Sequence, residues 1–433
     1  MGENIVFLLV RNHKEEKIMS EKAINVSEVN TQSVSTAFNQ LKRIILAAQH
    51  LIAMFGATVL VPILTGMNSS VALVCAGIGT LIFHLCTKGK VPVFLGSSFA
   101  FIPVIISVGE IYGDLSYAQG GIVVAGILYV LMSFIVAAVG VERVKSFFPS
   151  QVIGPMIVVI GLNLVPVAFS MASNNFMLAG VTLSTALLIT FFGKGFFKQL
   201  AIITAVVVGY VLSLQMGLVD MTSVTSAGWF QMPEFTMPKF DIGAISIIAP
   251  VVLAVFMEHI GDITTNGTVV GKNFMEDPGL NRTLIGDGLA TMVAGLLGGP
   301  ANTTYGENTG VLAITKNYDP SILRITAVIA ILLGTIGKVG GFLQSIPQAV
   351  MGGISLMLFS MISLIGVRTI RDSKIKMDIK NVIIMAAVLI IGLGGNVGIN
   401  IAIPVTEQVS ISGLSLAALV GVILNKIIYS VAK

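Results

Sequence analysis

Three carboxylates, Glu258, Asp262 and Glu307, fall inside or against long apolar runs. Glu258 and Asp262 interrupt the stretch from Ile242 to about Val270. Glu307 follows the small-residue run Gly298-Gly299-Pro300-Ala301-Asn302-Thr303-Thr304-Tyr305-Gly306. A charge at membrane depth costs about 2.5–3.5 kcal/mol on insertion scales, so such groups face a bundle interior or a wet cavity and mark a substrate or proton path. Glu258 and Asp262, four residues apart, share one helix face with Cβ atoms roughly 6 Å apart. Two like charges that close in a low dielectric disfavour double ionisation, so one holds a proton. That suits a proton-coupled site, where one carboxylate recognises and another gives and takes a proton. The plainer alternative is that one of the pair only bonds a neighbouring helix. Glu307, with Asn308, Thr309 and Gly310 behind it, sits where a half-helix would begin, and free backbone N–H groups there can bind a ligand or cap the break. Its plainer reading is a helix-start Glu favoured by the dipole at a membrane surface.

The elements around these residues belong in a membrane. Hydrophobic residues make up 55% of the 433-residue chain and charged ones 11%, against about 25% charged in a soluble domain. Mean hydropathy is +0.94, and apolar runs near the length of a membrane span recur almost end to end. The net charge of +4 does not imply nucleic acid, because the bases sit in short loops between apolar segments. Cys75 and Cys86 on one predicted helix stand roughly 16 Å apart, beyond disulfide reach.

Fourteen apolar segments are predicted: 44–64, 70–86, 91–109, 118–140, 150–171, 177–193, 198–217, 242–266, 283–297, 302–315, 322–344, 346–366, 380–397 and 411–431. Segment 91–109 is broken by Pro92, Gly96, Ser97, Ser98 and Pro103, and segment 302–315 is short and polar at its start. Residues 1–42 read as a polar cytoplasmic tail. Lys14-Glu15-Glu16 would be encoded by a purine run resembling a bacterial ribosome-binding site, which points to a start at Met19. Basic residues occupy the tail and alternate loops, including Lys88/Lys90, Arg143/Lys145, Lys194/Lys198, Lys272/Arg282, Lys316/Arg324 and Arg368 to Lys380. Lys239 and Lys338 are the exceptions. This alternation predicts an even number of crossings with both termini inside. Trp229, in the longest outside loop, reads as an interfacial anchor.

An internal repeat is visible. Gln49-His50-Leu51 resembles Glu258-His259-Ile260, Ser97-Ser98-Phe99-Ala100 resembles Thr303-Thr304-Tyr305-Gly306, and Pro149…Val152…Gly154 resembles Pro347…Val350…Gly352. The matches run in order at a nearly constant offset. Seven segments separate the halves, so they enter the membrane from opposite sides, an inverted repeat. Transporters built this way bind substrate near the midplane at paired broken helices. Segments three and ten are that pair. Ser98-Phe99-Ala100 and Tyr305-Gly306 are predicted as short extended strands that pair, because unpaired backbone at that depth must be satisfied by protein or a cavity. Their spare N–H and C=O groups could read a planar amide-like ligand, with Phe99 or Tyr305 on its face. His50 is expected to steady the core by a hydrogen bond. His259 points about 100° away from Glu258 and is expected to make a structural bond. Asp287 and Lys338 default to helix packing.

The run from Gln49 to Pro62, the run Gly96-Ser97-Ser98-Phe99-Ala100-Phe101 and the run from Asn302 to Thr315 resemble motifs of the nucleobase–ascorbate transporters, and among them the bacterial uracil permeases. The resemblance covers about residue 42 to the end. It implies an all-α polytopic membrane protein of fourteen transmembrane segments in two inverted repeats of seven, with short β-strands in broken helices three and ten. Core and gate domains alternate: tail 1–42, core 43–140, gate 141–241, core 242–345 and gate 346–433. It also implies that Glu258 and Glu307 bind the base, helped by backbone at Phe99 and Gly306 and by the strand carrying Tyr305. Glu258, Asp262 and Glu307 are the candidates for proton coupling. Uracil's N–H groups suit carboxylate acceptors and its carbonyls suit backbone donors. Some uracil permeases have His where this chain has Asp262. Purine-transporting relatives more often have Asp there, with Gln at the position of Glu307.

The expected function is a proton-coupled uracil importer of the inner membrane, with no cofactor beyond the proton, no metal and a possible homodimer through the gate domain. A xanthine symporter of the same family is the first alternative. An anion exchanger on the same architecture is the second, disfavoured by three acids and no base at the paired breaks. A membrane-embedded enzyme would need a nucleophile–base or metal-ligand pattern that is not seen.

Overall fold

The computed structural model describes residues 40–399, 401–404 and 410–431. Most of the predicted tail, Met19 included, lies outside the described residues. Contacts divide the chain into Met1–Gln49 and His50–Lys433. Of the first unit, the described residues form the opening turns of helix α1 (Gln40–Thr65). The candidate site lies wholly within the second.

Uninterrupted apolar runs form helices, and polar or glycine residues end them. α2 (Ser69–Cys86) begins at Asn68, whose side chain accepts from the N–H groups of Ser70 and Val71, satisfying two of the free donors of the first turn. The third segment is split: strand β1 (Leu95–Ser97), a 3₁₀ turn at Phe99–Phe101, then α3 (Ile102–Tyr112), stopped by Gly113 at φ 66°. α4 (Ser116–Val139), α5 (Ser150–Ser173), α6 (Phe176–Phe192) and α7 (Ala201–Gln215) complete the first half. α8 (Ile242–Val270) is interrupted at Ala249–Pro250, where proline removes a helical donor. α9 (Leu280–Leu297), strand β2 (Asn302–Thr304) and α10 (Gly306–Thr315) follow. α11 (Pro320–Gly334) leads through a 78° bend into a short helix, Gly337–Gln344. α12 (Gln348–Asp372), α13 (Ile379–Leu393), the hairpin β3 (Ala402–Pro404) and β4 (Ser410–Ser412), and α14 (Gly413–Val431) close the chain. Among the described residues, seven helices are long and apolar enough to cross a membrane, and up to eight if the bent pair is one span.

The packing itself carries the repeat. α2 packs on α9, and α5 on α12, each pairing a helix with its own counterpart seven places on. The pairs α4–α9 and α2–α11 exchange under the same shift, as do α6–α12 with α5–α13, and α6–α7 with α13–α14. The matched glycines occupy equivalent places. A Cβ on Gly154, near the start of α5, would meet the Gly366 carbonyl and Ile370 at the end of α12; one on Gly352, near the start of α12, would meet Ala172 at the end of α5.

β1 and β2 pair antiparallel in the register Leu95↔Thr304, Gly96↔Thr303, Ser97↔Asn302. The strands therefore lie earlier in the chain than the predicted Ser98–Ala100 and Tyr305–Gly306. Ser98 and Tyr305 remain extended but mark the ends of the ladder: Ser98 N–H donates to Ala301 O at 2.8 Å and Tyr305 N–H to Phe94 O at 3.0 Å. Phe99 and Gly306 have already turned into helices. The residues that pair are those needing the ladder, since an unsatisfied backbone group in lipid costs several kcal/mol. Side chains satisfy others: Leu95 N–H donates to Thr80 Oγ1 at 2.9 Å, and Thr291 Oγ1 to Asn302 O at 3.0 Å.

The two exceptions to the basic-loop pattern are committed locally. Lys239 bonds Asp114 at 2.9 Å, which holds that carboxyl down at about 2 and raises the ammonium. Lys338 Nζ donates to the carbonyls of Val224 and Thr225 at 2.7 and 3.1 Å, near the C-terminal end of the short helix Thr222–Ser226, where the dipole favours a cation. Cys75 and Cys86 are free thiols.

Candidate functional site

The strand pair puts two helix starts, at Phe99 and Gly306, beside the middle of α8. Glu258 and Asp262 stand half-buried on α8, and Glu307 is half-buried in the first turn of α10. Glu258 and Glu307 interact electrostatically, and Asp262 feels both. The three acids therefore form one cluster. No Lys or Arg contributes to it among the described residues, and no group of three or more His, Cys, Asp or Glu side chains there could hold a metal ion.

Tyr305 is 4% exposed, and its hydroxyl donates to Ser97 O at 2.9 Å across the strands. Its ring closes on Gly96: a Cβ there would stand 2.4 Å from the ring. This close approach accounts for the glycine in β1. Tyr305 thus braces the strand pair, and Gly306 after it is exposed with nothing within 4 Å of where a Cβ would stand. Phe99 is half-buried and meets Phe359 of α12 edge-on, ring centroids 6.1 Å apart.

Supporting contacts hold the acids in place. His259, fully buried, joins Asp287 Oδ2 through Nδ1 at 2.7 Å and Thr283 Oγ1 through Nε2 at 2.9 Å. Thr283 gives its single hydrogen to Leu280 O at 2.9 Å, so Nε2 is the donor to Thr283. The pair clamps α8 to α9 behind Glu258, the structural bond expected for His259, and gives Asp287 its packing role. Asn308 Nδ2 donates to His50 O at 3.0 Å and meets His50 Nδ1 at 3.2 Å, so His50 steadies the helix turn that carries Glu307. Asn266 Nδ2 reaches Pro92 O and Thr309 Oγ1 at 3.0 and 3.1 Å, tying α8 to both broken segments.

Two residues near the acids escaped sequence reasoning. Thr304 Oγ1 donates to Asp262 Oδ2 at 2.9 Å. Tyr129 of α4, 1% exposed, lies near enough to Glu258, Asp262 and Asp287 to feel their charge, and its hydroxyl has no hydrogen-bond partner among the described residues. A tyrosine in an apolar helix and a threonine in a short strand carry no periodic signal.

Along α8, an exposed stripe continues from Glu258 through Gly261, Thr265 and Thr268 to Lys272. Spacing of three and four residues keeps it on one face. The stripe carries two hydroxyls and, at its end, an ammonium.

Comparison with known proteins identifies the family. A family model, Xan_ur_permease, described as a permease family, matches residues 41–401. A probable uracil permease of Pasteurella multocida is 41% identical over 400 residues, covering 90% of this chain and 94% of that protein. Uracil permeases of Bacillus subtilis and Escherichia coli are 40% and 39% identical, with 95% and 94% of this chain covered. Among solved structures, the transmembrane domain of the cyanobacterial bicarbonate transporter BicA matches with a TM-score of 0.63 at 17% identity, over 89% of this chain and 97% of that one. Murine solute carrier 26 member A9, an anion transporter, gives 0.63 at 7% identity, over 90% and 68%. These two share the fold. The chain belongs to the permease family that this model describes, and is a multi-pass membrane transporter rather than an enzyme.

Proposed function

We propose that this protein imports uracil together with a proton, by alternating access of a core carrying α8 and α10 against a gate carrying α5 and α12. The observation that carries the reading is the cluster of Glu258 and Glu307 beside the exposed Gly306 at the paired helix breaks. Uracil offers two N–H donors and two carbonyls. Carboxylates accept from the N–H groups, and the free N–H groups at the start of α10 donate to a carbonyl. The relatives that cover nearly the whole chain are named uracil permeases, which supports uracil over other bases. The Glu at 307 supports it too, since purine-transporting relatives more often carry Gln there. Without a Lys or Arg in the cluster, the three acids disfavour an anion there, which argues against anion transport by this site.

Lys272 and Arg282, as bases in one short loop, support a cytoplasmic location for the far end of α8. The exposed stripe from Gly261 to Lys272, beginning three residues past the half-buried Glu258, then supports an inward exit path along this face of α8. Binding of base and proton shifts the balance of states only through their different affinity for the two.

Radiolabelled uracil uptake into vesicles with an imposed inward proton gradient checks this. Saturable uptake that an uncoupler abolishes and excess xanthine leaves unchanged is expected. Xanthine accumulation, or uracil uptake indifferent to the uncoupler, counts against it.

A further inference from the structure

Asp262 is where this chain departs from the histidine of some uracil permeases, and its surroundings give it a distinct chemistry. The Thr304 hydroxyl, on the last residue of β2 and 3% exposed, donates to Asp262 Oδ2 at 2.9 Å. A hydroxyl has one hydrogen to give, so Oδ2 is committed as an acceptor. Oδ1 makes no hydrogen bond among the described residues. With Oδ2 accepting that hydrogen, Oδ1 is the oxygen left open to take a proton.

We propose that Thr304 is a positioning residue that makes Asp262 the proton carrier of the site, by holding Oδ2 so that the exchangeable proton on Oδ1 is offered to a ring carbonyl of the base. The inference rests on the uracil reading above. Glu258 and Glu307 take hydrogens from the base, and Asp262 gives one. A histidine at this place could donate from a neutral ring whatever its charge, but a carboxyl donates only when protonated. Ionised, Oδ1 would turn a lone pair toward the lone pair of the carbonyl. Base binding and proton binding at Asp262 are thus linked, each strengthening the other by the same factor. No covalent bond is made or broken: the proton enters on Oδ1 with the base and leaves when the base leaves. The titratable groups facing Asp262 are Glu258 and His259 on its own helix, Glu307 on α10 and Tyr129 on α4. Asp287 on α9 lies behind them, bonded to His259.

The test is the pH profile of uracil uptake by the full chain in proteoliposomes. The Thr304 hydroxyl favours the ionised carboxylate, so without it the proton is retained to higher pH. Thr304→Val is expected to move the alkaline limb of uptake upward by about 0.5–1 pH unit, the scale of one net hydrogen bond, and to raise KM several-fold. Thr304→Ser is expected to restore both. A merely structural threonine would not move the limb. An unshifted limb in Thr304→Val, or a Ser variant shifted as far as the Val variant, overturns the proposal. If the Val variant fails to accumulate, Thr304→Ala removes the same hydroxyl with a smaller side chain and is held to the same outcomes. Absence of uracil uptake by the unaltered protein would instead overturn the uracil reading, and this assignment with it.

Discussion

Glu258→Gln and Glu307→Gln are each expected to lower proton-driven uracil uptake about 100-fold, the scale set by losing a hydrogen bond to a charged group, while the protein still inserts and purifies as a single species. Each change keeps the side chain's size and removes the charge and one acceptor. Both residues are half-buried in the same acidic cluster, where a neutral amide would also turn N–H donors toward the N–H groups of the base. Glu258→Gln leaves the His259–Asp287 clamp behind it intact, so loss of uptake separates from loss of fold. Near-normal uptake by either variant would remove that carboxylate from the site.

The second large effect is on stability. Asp287→Ala is expected to destabilise the protein by about 3–5 kcal/mol, the range for breaking a buried pair by deleting one partner. His259 Nδ1 would be left buried without a partner, because Nε2 is already given to Thr283. Asp287→Asn is expected to retain most of the stability, since a neutral imidazole can accept the Asn Nδ2–H at Nδ1. Thermal unfolding in detergent reads both. An Asp287→Ala midpoint equal to that of the unaltered protein would show that the contact does not hold α8 to α9.

Charge within apolar runs exposes Glu258, Asp262 and Glu307 in the sequence, because a bilayer makes any such residue conspicuous. The matched motifs likewise expose the repeat, and the packing of α2 on α9 and α5 on α12 obeys it. The strand positions were offset. Glycine, serine and proline mark segments three and ten as broken, but only the pairing partner fixes which residues lie in the ladder: Gly96 falls in β1 because the Tyr305 ring occupies its Cβ space. Asp287 shows as an intramembrane acid, yet its partner His259 stands on the preceding helix, and no local pattern links the two. Thr304 shows only as one member of a matched small-residue run, since a hydroxyl there looks the same whether or not it meets a carboxylate. What sequence exposes here is the cost of burying charge; what it hides is which neighbour offsets that cost.

The central claim, that base and proton cross together through the acidic cluster, is tested most directly by proton entry driven by the base alone. Purified protein is reconstituted in vesicles holding a pH-sensitive dye, with no initial pH gradient, and uracil is added outside. The account predicts acidification of the lumen with uracil, none with xanthine, and none with uracil in Glu258→Gln vesicles. Uracil accumulation with no change in lumenal pH would contradict it.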